Sequence, residues 1–402
     1  MLTLQDIRDA RERVAGHVVH TPCTPSEAFG EMFGGSAWFK FENLQRTGSF
    51  KERGALNRML AIPAEERARG VIAASAGNHA QGVAFHARQL GIPATIVMPE
   101  RTPLVKVANT ERYGARVVLH GTVYDEAMRE AERIMAEEGQ TLIHPFDDPL
   151  VIAGQGSIGL ELLEQVPDLD VVVVPLGGGG LISGIAMAVK ELRPEVRVVG
   201  VEAAVLPAAL RAREAGEPVT IPPAQTIAEG IAVRRIGDYT FGLIERYVDE
   251  LVTVDEEEIA SAVLLLLERE KTVAEAACAS AVAAAVGGHV AGLEGRNVVM
   301  VISGGNIDVN LLSRIIERGL IRDGRLAHLR VRVDDRPGAL ATLTALLAAQ
   351  GANVLTLEHR RGVKGLWLTE AEIDLALETR GREHVTELVR VLGREGYAVG
   401  RE

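Results

Sequence analysis

Val171-Val172-Val173-Val174-Pro175-Leu176-Gly177-Gly178-Gly179-Gly180-Leu181 joins an apolar run to four consecutive glycines and then to a helix-like stretch ending at Leu192. Four β-branched residues without polar alternation read as a strand buried on both faces, as in a parallel sheet covered by helices. Where such a strand passes into a helix, glycines bare the backbone amides, and the helix start adds free N–H groups and the positive end of its dipole. That is a nest for phosphate. A dinucleotide fold is the competitor, and Glu202, closing Val198-Val199-Gly200-Val201, even stands where a ribose-binding acid would, about 20 residues on. The glycine spacing rejects it. A G-x-G-x-x-G frame begun at Gly177 meets Ile182, one begun at Gly178 meets Ser183, and one begun at Gly179 fails at Leu181. A ligand with a single phosphate fits better.

Two more segments share this grammar. Ala73-Ala74-Ser75-Ala76-Gly77-Asn78-His79-Ala80-Gln81-Gly82 follows Val71-Ile72 and precedes an amphipathic stretch to Leu90. Its small residues let a ligand reach the backbone, and free amides at the helix start suit a carboxylate; the plainer reading is an ordinary connection with Asn78 as helix cap. Val298-Val299-Met300-Val301-Ile302-Ser303-Gly304-Gly305-Asn306 is another buried-type strand, ending in a hydroxyl at the edge where ligands of α/β sheets collect. The fourth piece is Thr47-Gly48-Ser49-Phe50-Lys51-Glu52-Arg53-Gly54-Ala55, which puts an amine at the start of a helix expected over 51–60. A cation there opposes the helix dipole, a repulsion of up to ~1 kcal/mol that favours the neutral amine. Most lysines near helix starts are simply solvated, but a neutral amine captures aldehydes. Together the four pieces describe a pyridoxal phosphate site.

On Glu42-Asn43-Leu44-Gln45-Arg46-Thr47-Gly48-Ser49-Phe50-Lys51, Ser75-Ala76-Gly77-Asn78-His79-Ala80-Gln81, the glycine run and Ser303-Gly304-Gly305-Asn306, the chain resembles the pyridoxal-phosphate enzymes of the tryptophan-synthase-β type (fold type II), and within them the threonine ammonia-lyases, or threonine dehydratases. The resemblance covers essentially residues 1–320. It implies that Lys51 carries the cofactor as a Schiff base and later serves as the base at the substrate Cα. By the same resemblance Asn78 bonds the ring oxygen, Gly177, Gly178, Gly179 and Gly180, with Leu181, hold the phosphate, and Ser303 faces the pyridine nitrogen. Phe50 and Gly230 line the ring pocket, and Glu275 stands where relatives carry a pocket glutamate, with Cys278 where many have glycine. Ser75, Ala76, Gly77, Asn78 and His79 would hold the substrate. The implied reaction is loss of water and ammonia from L-threonine or L-serine, giving 2-oxobutanoate or pyruvate.

The hydroxyl of Ser303 points the same way. Unlike a carboxylate it does not hold the pyridine nitrogen protonated, so the ring is a weaker electron sink and loss of the Cα proton is coupled to expulsion of a β-substituent. Ala76 separates lyase from racemase: similar serine racemases carry a serine there, able to deliver a proton from the face opposite the lysine. Serine racemase and 3-hydroxyaspartate dehydratase remain the alternatives within the family, and a non-catalytic amino-acid sensor outside it.

The 402 residues, 47 % hydrophobic and 24 % charged, suffice for two or three domains with full cores. Residues 2–19 form a charge-rich amphipathic pattern rather than a secretion signal, and the low-charge stretch 276–293 reads as a buried helix and turn rather than a membrane span. Cys23 and Cys278, far apart, are expected as free thiols in a reducing, cytoplasmic setting. No zinc spacing occurs, and the residues after Glu202, where some relatives bind a divalent cation, offer no second carboxylate; no metal is expected.

The formal charge of −12 argues against nucleic acid, and residues 326–402 carry 11 basic and 11 acidic residues, so the excess lies before them. Beyond a linker at 316–325 the pattern is strand, helix, strand, strand, helix, strand, the ferredoxin-like βαββαβ order. The turn Asp334-Asp335-Arg336-Pro337-Gly338 is similar to that of ACT domains, small modules that pair and bind amino acids. The expected organisation is an α/β catalytic region, 1–325, of twisted, mostly parallel sheets with helices on both faces, and an ACT regulatory domain, 326–402. The catalytic region divides into a large lobe (1–50 and 147–325) and a small lobe (51–146). The expected partners are an amino-acid substrate, an amino-acid effector and further copies of the chain, as dimer or tetramer.

Overall fold

The computed structural model describes residues 2–363 and 365–401. The chain forms two compact units, Met1–Ile307 and Asp308–Glu402. Its strands are β1 (Cys23–Ser26), β2 (Ser36–Phe41), β3 (Val71–Ala74), β4 (Ala94–Met98), β5 (Arg116–Leu119), β6 (Thr141–Leu142), β7 (Val171–Pro175), β8 (Arg197–Ala203), β9 (Glu250–Val254), β10 (Asn297–Ile302), β11 (Leu326–Asp334), β12 (Asn353–Arg360), β13 (Glu370–Glu378) and β14 (Ala398–Arg401).

The larger sheet of the first unit runs β1-β2-β10-β7-β8-β9, parallel except for the β1–β2 pair. β7 and the last five residues of β10 are wholly buried, which is why both read as unbroken apolar runs. Because β10 pairs with β2 on one side and β7 on the other, the turns leaving these three strands open on one edge. Those turns carry Lys51, Ser303 and the glycines. The smaller sheet, β5-β4-β3-β6, is entirely parallel, and β3 beside β6 places the turn at 75–78 next to the loop that follows Leu142.

The helix Lys51–Leu60 buries Ala55, Leu56 and Met59, of which Ala55 and Met59 belong to the core of the smaller sheet. Its other buried side holds a charged cluster. Arg53 donates to both oxygens of Glu42 (2.8 Å each) and to both of Glu161 (2.6 and 2.9 Å), while Lys40 donates to Glu161 at 2.6 Å and to the Thr21 carbonyl at 2.7 Å. Burial alone would raise the Glu42 carboxyl; Arg53, with Lys40 and the Thr21 hydroxyl, more than offsets it and holds the group below its ordinary value.

The second unit is an antiparallel sheet, β12-β13-β11-β14, with the helices Val309–Arg322, Ala339–Ala349 and Arg382–Arg394. Leu329, Val331, Ile373, Leu375, Leu343 and Leu388 form its core. Gly338, at φ +92°, caps the helix Ala339–Ala349, a left-handed conformation that suits glycine. Among the described residues no helix is long and apolar enough to cross a membrane.

A candidate active site at the edge of three strands

Lys51 is the first residue of its helix, and its Nζ donates to the Pro145 carbonyl at 2.8 Å and lies 5.1 Å from the Phe50 ring centroid. Burial lowers its pKa to about 8, with Glu275 pulling the other way. The first cause is therefore desolvation rather than the helix dipole on which the sequence reading rested. Phe50 donates its N–H to the Ser303 carbonyl at 3.0 Å, tying the lysine turn to the end of β10. The Ser303 side chain is almost fully buried, yet its hydroxyl has no partner among the described residues.

Two sets of amides stand free. The N–H groups of Gly177, Gly178, Gly179, Gly180 and Leu181 donate to no acceptor among the described residues, and neither do those of Ala76, Asn78 and His79. Between the last three, the Gly77 N–H is engaged by the Ser75 hydroxyl at 3.2 Å. Gly179, at φ +96°, lets the chain turn into the helix Gly180–Leu192, and a Cβ on Gly178 would collide with Phe146. One set at a glycine turn and one at a small-residue turn match a phosphate and a carboxylate.

Asn78 is not the helix cap; Gly77 holds that place and frees the Asn78 side chain. Its Nδ2 donates to both Glu275 oxygens (2.9 Å each), and its Oδ1 accepts from Asn306 Nδ2 at 2.8 Å. Asn306 also donates to the Thr47 carbonyl at 2.7 Å. Glu275 is buried, which raises its carboxyl pKa, with Asn78 and Lys51 offsetting part of the shift. A Cβ on Gly230 would lie 3.4 Å from Glu275 Oε1, so Gly230 and Glu275 share the same wall. The Cys278 thiol lies 3.0 Å from the Gly304 carbonyl, which also accepts the Glu275 N–H. Lys51, Phe50, Ser303, Glu275, Asn78 and Gly230 are thus joined by direct bonds or contacts.

The loop after β6 is an addition that the sequence reading missed. Ile143, buried, accepts the His79 Nε2–H at 2.7 Å; Pro145 accepts from Lys51; Phe146 covers the glycine turn; and Asp147 Oδ1 accepts the N–H groups of Tyr239 and Thr240 at 3.1 and 3.0 Å. Burial, then Lys51, pushes the His79 pKa down to about 3, so its imidazole is neutral. At the rim, Lys106 and Glu229 form an ion pair of 2.5 Å between the helix Leu104–Glu111 and the turn Glu229–Ile231.

An enclosed amine, two sets of unbonded amides and a buried free hydroxyl fit pyridoxal phosphate: Lys51 for the aldehyde, the glycine turn for the phosphate, Ser303 for the ring nitrogen. Among the described residues no three metal-ligating side chains converge, and both oxygens of Glu202 are taken by the N–H groups of Ala209 and Leu210, at 2.7 and 2.9 Å.

Known proteins place the chain in the same company. Residues 14–304 match the model of the pyridoxal-phosphate dependent enzymes, and residues 327–394 that of the ACT domain. The L-threonine ammonia-lyase of Thermotoga maritima is 50 % identical over 399 residues, 99 % of each chain. Among solved structures, the processed form of threonine deaminase isoform 2 from Solanum lycopersicum is 36 % identical with a TM-score of 0.74, covering 78 % of this chain and 86 % of its own. Maize serine racemase is 35 % identical with a TM-score of 0.75, covering 80 % and 98 %.

Proposed function

The chain belongs to the pyridoxal-phosphate dependent enzymes and carries an ACT domain, and from that premise we propose that it is a threonine ammonia-lyase, converting L-threonine to 2-oxobutanoate and ammonia and L-serine to pyruvate and ammonia. The observation that carries this reading is the convergence of the Lys51 amine with two separate sets of unbonded amides.

Each residue then has a task. Held among these residues, the cofactor would supply the electron sink that acidifies the substrate's Cα–H. Lys51, held by the Pro145 carbonyl and largely stripped of water, takes that proton. The amides of Ala76, Asn78 and His79 fix the carboxylate, and those of Gly177 to Leu181 fix the phosphate. Asn78 is itself fixed from both sides, by Glu275 and Asn306, as it meets the ring oxygen. Ser303 offers the ring nitrogen a hydroxyl rather than a carboxylate, which favours concerted elimination over a long-lived carbanion. Ala76, a methyl where a second proton donor would stand, leaves Lys51 to work one face alone.

The region from residue 326, within the second unit, is proposed as a regulatory domain that binds an aliphatic amino acid, isoleucine first, in a homo-oligomeric cytoplasmic enzyme. An effector acts only by binding two states differently, so it must shift assembly or lobe closure. The test is a panel of L-threonine, L-serine, L-threo-3-hydroxyaspartate and D-serine with detection of 2-oxo acid, with and without isoleucine or valine. Formation of 2-oxobutanoate from L-threonine is the expected result. A chain that interconverts L- and D-serine without releasing 2-oxo acid is a racemase instead.

A further inference from the structure

We propose that His144 is a second catalytic residue, donating a hydrogen bond through Nε2–H to the oxygen that leaves the substrate's Cβ. The inference rests on the elimination reading and deepens it.

The ring's tautomer follows from its backbone. His144 Nδ1 accepts the N–H of Asp147 at 2.7 Å and that of Phe146 at 3.3 Å, so the lone pair is on Nδ1 and the proton on Nε2. That Nε2–H has no partner among the described residues and is not enclosed, so it opens onto accessible space. His79, by contrast, spends its Nε2–H on the Ile143 carbonyl, and its Nδ1 is enclosed without a partner. Of the two histidines beside Lys51, only His144 has a proton to offer. Burial holds its imidazole below the ordinary histidine range, with Lys51 adding to the shift and Asp147 and Asp148 opposing it. It is a neutral donor.

The position is fixed on three sides. His79 holds the residue before it, Lys51 the carbonyl of the residue after it, and the Phe146 ring, edge-on to the imidazole with centroids 4.7 Å apart, covers the glycine turn. The ring therefore sits beside the base and next to the phosphate anchor.

The chemistry needs a donor there. Lys51 takes the Cα proton, the C–H electron pair becomes the Cα=Cβ bond, and the Cβ–O pair departs with the oxygen. The ammonium on Lys51 returns its proton to that oxygen, so water leaves and the amine is neutral again. The freed enamine tautomerises to an imine, which water hydrolyses to the 2-oxo acid and ammonia. Hydroxide is a poor leaving group, and a positioned N–H aimed at its developing charge acts like an oxyanion-hole donor. His144 keeps its own proton throughout.

The test compares His144→Asn with His144→Gln in the full-length, cofactor-loaded enzyme. Asn keeps an acceptor for the loop amides and loses the distal N–H; Gln keeps the distal N–H. L-Serine is set against β-chloro-L-alanine, whose chloride leaves without a hydrogen bond. His144→Asn should lower kcat/KM for L-serine on the order of 100-fold, the scale of one lost oxyanion donor, with little change for the chloride. His144→Gln should recover most of the loss. Equal falls for both substrates, or no fall for serine, would overturn the proposal and leave the loop a structural part. Nitrogen-15 NMR of the wild-type apo-protein reads the tautomer independently of turnover. A proton on Nδ1 of His144 refutes the assignment even if a variant fails to fold. A wild type that forms no 2-oxo acid from serine or threonine defeats the lyase reading itself, and His144 with it.

Discussion

Lys51 and Arg53 stand two residues apart on one helix, both turned into the protein, and are treated in opposite ways. Arg53 meets two carboxylates through four hydrogen bonds and a serine hydroxyl besides. Among the described residues Lys51 meets one carbonyl, an aromatic ring and no carboxylate within bonding distance. Both are desolvated, but only Arg53 is compensated by direct ion pairs, Glu275 offsetting just part of the cost at Lys51. The difference makes one cation a brace and leaves the other a reactive amine near its neutral form, with a pKa of about 8.

The sharpest way to break this comparison is to remove each cation in turn. Lys51→Ala should cost at least about a thousandfold in 2-oxobutanoate formation, because anchor and base go together. Its melting temperature should not fall at neutral pH. With a folded pKa lowered to about 8, the lysine's burden lies below that pH, and stability rises as pH climbs from about 8 towards 10.5. A marked loss of stability would mean that Lys51 is a brace after all. Arg53→Leu should do the reverse. It strands Glu42 and leaves Glu161 with Lys40 alone, a loss of about 3–5 kcal/mol by urea unfolding, and Glu42→Gln in the same chain should return much of it.

Smaller effects sharpen the picture. The rate at which the apo-protein captures pyridoxal phosphate should rise about tenfold per pH unit below about pH 8 and level off above it, since only the neutral amine attacks. A flat profile would show that the amine is not desolvated as its surroundings imply. Ala76→Ser tests the face that no cation reaches. Chiral chromatography should show a small rise in D-serine from L-serine; no rise in a variant that still eliminates would mean that a hydroxyl alone does not supply the second face.

Local features were legible in the sequence. The helix Lys51–Leu60 and the strands β7 and β10 lie where pattern and punctuation placed them, and buried-type strands opening onto helices pointed to the α/β class. The βαββαβ order was likewise visible from its turns. What sequence could not show was proximity without pattern. Pro145 meets Lys51 across 94 residues, and His-Pro-Phe-Asp at 144–147 has no period, no glycine run and no strand of its own. The plainer alternative for Asn78, a helix cap, fails because Gly77 holds that place, and the side chain bonds Glu275, 197 positions on, which no local pattern shows. The lysine's pKa was given the right direction for the wrong leading cause, since burial depends on neighbours brought in by the fold.

The two anion anchors are made of peptide N–H groups, and that has a consequence for descent. Every residue except proline brings the same N–H, so at the 76–79 turn no ordinary side-chain replacement erases the anchor. At the glycine turn the glycines themselves must be kept, since a Cβ on Gly178, Gly179 or Gly180 would come within 3 Å of Phe146 or Thr240. Mutation can therefore explore the lineage's substrate range through Ala76, His144 and Phe146 while the grip on phosphate and carboxylate is inherited with the backbone.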